Sequence, residues 1–255
     1  MLFARPPLAR LAFGRVPAYR QYELFFERYR AAAEFLDPRP SALGAWPGGR
    51  PRRILDVGCG EGFLKRFVTA PDLEWHGTEV IARRAELCAA LGYAIGSVDP
   101  ATQHLPYPDA HFDAVAACHV LEHLDQRERV LAELDRVLAP GGLLFIAVPI
   151  KLPPLHWLLN LYYTAKIGMV RGETTQAYSL GSFRAELERA FAVSAHPQGC
   201  GARYRIVDLR GLRLISARKR VAWEDHEGFY RFNIAWGRRF PALTPEVNVV
   251  MEKRG

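Results

Sequence analysis

Mostly apolar runs recur along the first 150 residues at 54–57, 112–118 and 143–148, and Leu73-Glu-Trp-His-Gly-Thr-Glu-Val80 between the first two reads as a further strand ending in an acid. Runs of this length read as strands, most of them buried. Between them, apolar positions three and four residues apart predict helices at about 62–69, 81–91 and 126–138, and a shorter strand is expected at 93–95. In the third helix, Val130, Leu131, Leu134, Val137 and Leu138 share one face before Ala139-Pro-Gly-Gly142 ends it. Strands alternating with helices predict a parallel sheet covered on both sides, with ligands at the carboxyl ends of its strands.

The flanks follow other patterns. Tyr22, Phe25, Phe26, Tyr29, Ala33 and Leu36 recur at helical spacing and predict a helix over 19–36 that packs on the core. Residues 1–18 carry Arg5, Arg10 and Arg15 without a continuous apolar run, and read as a loosely held arm rather than a targeting peptide. The proline- and glycine-rich stretch 37–51 reads as a linker. Beyond Pro149 comes a mostly apolar segment, 155–170, which His156, Asn160 and Lys166 make too polar for a membrane span. A lid, an interfacial helix and a helix packed on the core all stay open for it. A helix over 182–191 opened by Ser182 and Glu186 in a near capping box, a strand at 191–196, a helix at 229–236 and an alternating strand at 246–252 complete the pattern. The expected organisation is an arm and cap helix over 1–50, a nucleotide-binding half over 51–150, and a lid and acceptor half over 151–255.

At 255 residues, 49% hydrophobic and 24% charged, the chain is of ordinary globular composition. Cys59, Cys88, Cys118 and Cys200 form no C-x-x-C pair, so neither a metal site nor a disulfide framework is expected, and a reducing, cytoplasmic compartment is. The net charge of +7 is concentrated at 199–222, where seven Arg or Lys residues stand against Asp208. That run could face a phosphorylated metabolite, a lipid surface, nucleic acid or plain solvent; no aromatic RNA-binding signature accompanies it, so no nucleic-acid partner is expected.

The chemistry sits at 54–62, Ile-Leu-Asp-Val-Gly-Cys-Gly-Glu-Gly. Glycines at 58, 60 and 62 between a strand and a helix let the backbone turn sharply and a ligand lie against it, and the following helix should offer its positive end to an anionic group. The dinucleotide pattern G-x-G-x-x-G fails, because Phe63 stands where its third glycine belongs.

Asp-x-Gly-x-Gly-x-Gly resembles motif I of the class I S-adenosylmethionine-dependent methyltransferases. The resemblance continues through Glu79, 21 residues after Gly58, through Gly96-Ser-Val-Asp99 and Leu105-Pro-Tyr-Pro-Asp109, to the Leu-Glu-His run ending strand 112–118. It implies a Rossmann-like three-layer α/β sandwich: a mostly parallel seven-stranded sheet with an antiparallel last strand, an N-terminal helical extension and a helical lid insertion. It implies S-adenosylmethionine held by Asp56, Gly58, Cys59, Gly60 and Gly62 at the methionine end, by Glu79 and Val80 at the ribose, and by Ser97, Val98 or Asp99 at the adenine, with Cys118 alongside. His119 is the first candidate for a base on the acceptor side, then His123 and Glu122.

The Asp/Asn-Pro-Pro-aromatic motif of nucleobase methyltransferases is replaced by Cys118-His-Val-Leu121, which points away from base methylation. A small-molecule or lipid-like acceptor, methylated at oxygen, is the expectation, with peripheral membrane contact and oligomeric state left open. The rivals are a non-catalytic S-adenosylmethionine-binding scaffold and a nicotinamide-dependent oxidoreductase.

Overall fold

The computed structural model describes residues 26–36, 51–70, 72–98, 103–124, 126–152, 155, 157, 158, 161, 177–194, 203–212 and 227–255. Helix α1 (Glu27–Leu36) precedes β1 (Arg52–Val57), α2 (Phe63–Phe67), β2 (Leu73–Thr78), α3 (Ala82–Ala90) and β3 (Ala94–Gly96). Then come β4 (Phe112–Cys118), α4 (Arg127–Val137) and β5 (Leu138–Pro149). The C-terminal part supplies α5 (Leu180–Phe191), β6 (Val193–Ser194), β7 (Tyr204–Gly211), α6 (Glu227–Arg239) and β8 (Glu246–Lys253).

One sheet joins all the strands in the order β3-β2-β1-β4-β5-β8-β7-β6. Strands β1 to β5 pair in parallel, and β8 lies antiparallel to both β5 and β7. The expected sandwich with an antiparallel last strand is therefore what forms. To those seven strands the two residues of β6 add a short eighth at the edge beside β7.

Each face of the sheet carries its own core. On one, Ile54, Trp75, Ala116, Phe145 and Val250 meet Ala32, Ala33 and Leu36 of α1, Leu64 of α2 and Cys88 of α3. On the other, Leu55, Val115, Ile146 and Val249 meet Leu131 and Leu134 of α4 and Phe183 and Leu187 of α5. The alternation of Ile54 and Leu55 between the two clusters is the period-2 register of a strand buried on both sides. Arg136 of α4 ties down the loop before β4: its guanidinium donates to the carbonyls of Leu105 and Tyr107 at 3.0 and 2.7 Å.

Two expectations need correction. The helix predicted at 182–191 begins earlier, since Ser179 is its cap and Ser182 its third residue. The Ser179 side chain accepts the Ser182 N–H at 3.1 Å, and the Ser182 hydroxyl accepts the Ser179 N–H at 3.0 Å. Strand β7 was hidden within the basic run, because Arg205, Asp208 and Arg210 dilute its apolar pattern and a register shift between Ile206 and Asp208 breaks the alternation. The described cations of that run are stitched to acids: Arg203 to Asp135, Arg205 to Glu252, and Arg210 to Glu34 and Asp208. They serve the sheet and its helices; residues 213–222 of the run lie outside the described residues.

Replacing Ser179 by alanine removes one half of the cap and should lower stability by about 1 kcal/mol. Urea unfolding of the two proteins measures this directly, and an unchanged midpoint would refute the capping role.

Candidate functional site

The strand order reverses at β1: the chain runs outward through β2 and β3, then returns to place β4 on the other side. At this reversal the carboxyl ends of β1 and β4 form the edge where sheets of this kind take their ligands. Gly58, Gly60 and Gly62 line it with φ of 65°, 57° and 68°, in the left-handed region that a side chain disfavours. Beyond that shared demand their surroundings differ. A Cβ on Gly58 would stand 2.8 Å from Val120 Cγ2, and one on Gly62 would stand 2.7 Å from Leu91 Cδ1, so both are also required for packing. A Cβ on Gly60 would meet nothing nearer than the Gly58 carbonyl oxygen at 3.9 Å. That position is the open wall of the turn.

The expected helix at 62–69 is the five-residue α2, and the Gly62 N–H is bonded to the Cys59 carbonyl at 2.8 Å. With one short turn and a satisfied donor, α2 offers little of the expected anion-binding end. The turn is organised by acids instead. Glu79, directly after β2, accepts the Gly60 N–H at 3.0 Å on one carboxylate oxygen and the Ile81 N–H at 2.9 Å on the other. Each oxygen keeps a second lone pair, so the carboxylate is both aimed and still able to accept two hydroxyls.

Asp56 is buried under the turn and accepts the Tyr93 hydroxyl at 3.1 Å. Burial pushes its carboxyl up to about 7, against the Tyr93 hydrogen bond and with help from the charge on Glu79. No ion-pair partner for either acid is found among the described residues. Two acids without a cation, beside a wall left open at Gly60, suit a ligand that carries a cation and a diol. S-adenosylmethionine has both.

The remaining expected contacts divide. Ser97 is exposed, Val98 half-buried and Val80 82% exposed at the rim, while Asp99 lies outside the described residues. The Cys59 sulfur packs toward Gly77, where an added Cβ would be 2.9 Å away, so only the Cys59 backbone belongs to the turn. Cys118 ends β4, and burial first, then nearby acids, push its thiol up.

His119 follows at φ 57°, its N–H bonded to the Ala147 carbonyl at 2.9 Å. Its Nδ1 lies 3.2 Å from Glu122 Oε1 and its Nε2 3.0 Å from Glu246 Oε1, at the start of β8. Arg28 of α1 reaches Glu246 Oε2 at 2.8 Å. Burial by itself disfavours the imidazolium, but Glu246 and Glu122 outweigh it and raise the His119 pKa above the ordinary histidine value. Glu122 is buried, and His123 is more than half exposed with Nε2 4.0 Å from Glu122.

His104 pairs with Glu133 on α4, and His111 packs among Tyr107 and Phe112. His156 lies outside the described residues. Sequence reasoning did not assign Tyr93, Arg28 or Glu246 to the site, since Arg28 and Glu246 are 218 positions apart and nothing local links them.

Because the Asp56 pKa is raised, the folded protein holds a proton that the unfolded chain, near 3.8, has lost by neutral pH. Stability from this group is therefore lost as pH rises from about 4 to 7. Asp56→Asn should stabilise the unliganded protein at pH 8 by a few kcal/mol, on the order of 1.4 kcal/mol per pKa unit, with the gain fading below pH ~4. Thermal melting across that range reads the effect, and equal melting temperatures at pH 8 would show that Asp56 carries no such penalty.

Residues 55–146 match the family model described as "Methyltransferase domain". The ajmaline N-methyltransferase of Rauvolfia serpentina is 34% identical over 107 residues, 39% of this chain and 37% of that protein. The 27-O-demethylrifamycin SV methyltransferase of Amycolatopsis mediterranei is 36% identical, over 38% of this chain and 40% of its own length. The demethylmenaquinone methyltransferase of Thermus thermophilus is 36% identical, over 41% and 49%. The matches thus span less than half the length of these relatives.

Among solved structures, an S-adenosylmethionine-dependent methyltransferase from Mesorhizobium loti shares the fold with a TM-score of 0.53 at 15% identity, over 88% of this chain and all of that one. The [4+2]-cyclase SpnF shares it at 0.55 and 18% identity, over 98% and 88%. Over residues 55–146 the chain is thus similar to a methyltransferase domain, and the glycine turn, its two acids and the strand order lie within or beside that matched segment.

Proposed function

We propose that this chain transfers a methyl group from S-adenosylmethionine to oxygen on a small-molecule or lipid-like acceptor. The observation that carries the reading is the turn itself: an open position at Gly60, with Glu79 aimed across it by two backbone N–H groups. The cofactor supplies a methyl group already activated on a sulfonium. The chain's residues bind, orient and exclude water around it. Asp56 and the glycine turn hold the methionine end, Glu79 the ribose, and Ser97 and Val98 border the adenine. Alignment of the acceptor supplies much of the rate.

The acceptor hydroxyl loses its proton, and His119 receives it. Glu122 at Nδ1 and Glu246 at Nε2 stabilise the imidazolium that forms. Glu122 and His123 are the second choices for this role. Oxygen is the finer part of the proposal, since the relatives' names include both N- and O-methyltransferases. A second reading, a module that binds the cofactor without turnover, is favoured by the two carboxylates that hold the His119 ring from both sides.

Calorimetry should show S-adenosylmethionine binding and NAD not binding, with Glu79→Ala costing about 1 to 3 kcal/mol of affinity; an unchanged affinity removes Glu79 from the site. Incubation with labelled cofactor and host extract, followed by mass identification of the product, tests turnover and the atom methylated. No labelled product despite tight binding would favour the scaffold.

The base makes a further prediction. Because the His119 pKa is raised, the neutral ring gains population only above the ordinary histidine value, and turnover should rise with pH through that ionisation. Glu246→Gln removes the main stabilising charge, so the rise should move to lower pH. A profile that does not move in that variant would take His119 out of proton transfer.

A further inference from the structure

We infer that the face formed by Leu152, Leu155, Trp157, Leu158 and Leu161 docks this protein on an anionic lipid bilayer. Leu155, Trp157, Leu158 and Leu161 are all helical, and they are 49%, 60%, 51% and 58% exposed. Leucines at 155, 158 and 161 recur at helical spacing, and Trp157 falls within the same arc, so one face of the helix presents apolar groups to water. Leu152, just before it, is 48% exposed. An apolar patch of this kind marks an interaction surface.

Charge selects the partner. From Lys151 to Gly172 there is no Asp or Glu, while Lys151, Lys166 and Arg171 are cationic, and the whole chain carries +7. A second copy of this chain would bring like charges together across the patch. A lipid surface bearing negative headgroups accepts both features at once, with leucine and tryptophan at the acyl boundary and Lys151 beside them at the headgroups; Lys166 and Arg171 lie outside the described residues.

The place of the patch adds a consequence. The chain leaves β5 at Pro149, and the Lys151 N–H bonds the Tyr178 carbonyl at 2.6 Å, which anchors 150–152 at the carboxyl edge of the sheet. Val80 and Ile81, 82% and 47% exposed, stand at that same edge after β2. Docking through this face brings the edge that carries the glycine turn near the membrane, where a lipid-soluble molecule would arrive.

The test is sedimentation of the full chain with vesicles, read without any turnover. Vesicles of phosphatidylcholine containing about a quarter phosphatidylglycerol should carry the protein down, pure phosphatidylcholine vesicles much less, and added salt should weaken the association. Trp157→Glu with Leu158→Glu should reduce partitioning about tenfold or more, while melting temperature and S-adenosylmethionine affinity stay as in the parent. The proposal is overturned by no sedimentation with the anionic vesicles, by equal partitioning into neutral ones, or by undiminished binding of the double variant. A concentration-dependent dimer that the double variant abolishes would assign the face to self-association instead. Failure of cofactor binding, by contrast, would count against methyl transfer and leave the lipid result standing.

Discussion

The close contact between the turn after β1 and the loop after β4 is the constraint on which the rest depends. Val120 occupies the space that a side chain on Gly58 would need, so the two loops touch at the point where the strand order reverses. That contact sets His119 and Glu122 beside the glycine turn. It also explains why the turn is built from residues without side chains: Gly58 and Gly62 yield room to the protein, while the space at Gly60 is left open. A crevice at this reversal belongs to the topology of parallel sheets; its chemistry comes from the residues that line it.

Charge at the crevice is arranged in two opposite ways. Glu122 and Glu246 are buried but matched, by His119 between them and by Arg28 from α1. An unmatched buried carboxylate is costly, so this network ties three remote parts of the chain, α1, the loop after β4 and β8, into one arrangement. Asp56 is buried with a neutral phenol as its partner, and no cation pairs with it among the described residues. In the first arrangement opposite charges face one another, whereas in the second burial holds the proton on the carboxyl.

The pH dependence of both follows the same sign. His119 and Asp56 each have a raised pKa in the fold, so each contributes stability on the acid side that is lost as pH rises through its folded value. For His119 the loss reflects the end of an ion pair. For Asp56 it reflects a negative charge forced into a dry place. A bound cation would reverse the second term without touching the first, so the unliganded and liganded proteins should differ most on the alkaline side.

The sequence by itself determined the strands and the glycine turn of residues 51–150. Alternating apolar runs gave the parallel strands, and the glycines with Asp56 and Glu79 gave the turn and its acids, because these features are set by residues close together in the chain. Its cap at Ser182 and its long helix after Gly62 failed at points where a neighbouring serine and a bonded Gly62 N–H decided the outcome. Strand β7 was obscured because arginines paired to distant acids look, in sequence, like a solvated basic run. Only the tertiary structure could join Tyr93 to Asp56, or Arg28 and His119 to Glu246. Those pairings depend on how far-separated segments fold against one sheet edge, and no periodicity or spacing along the chain encodes that distance.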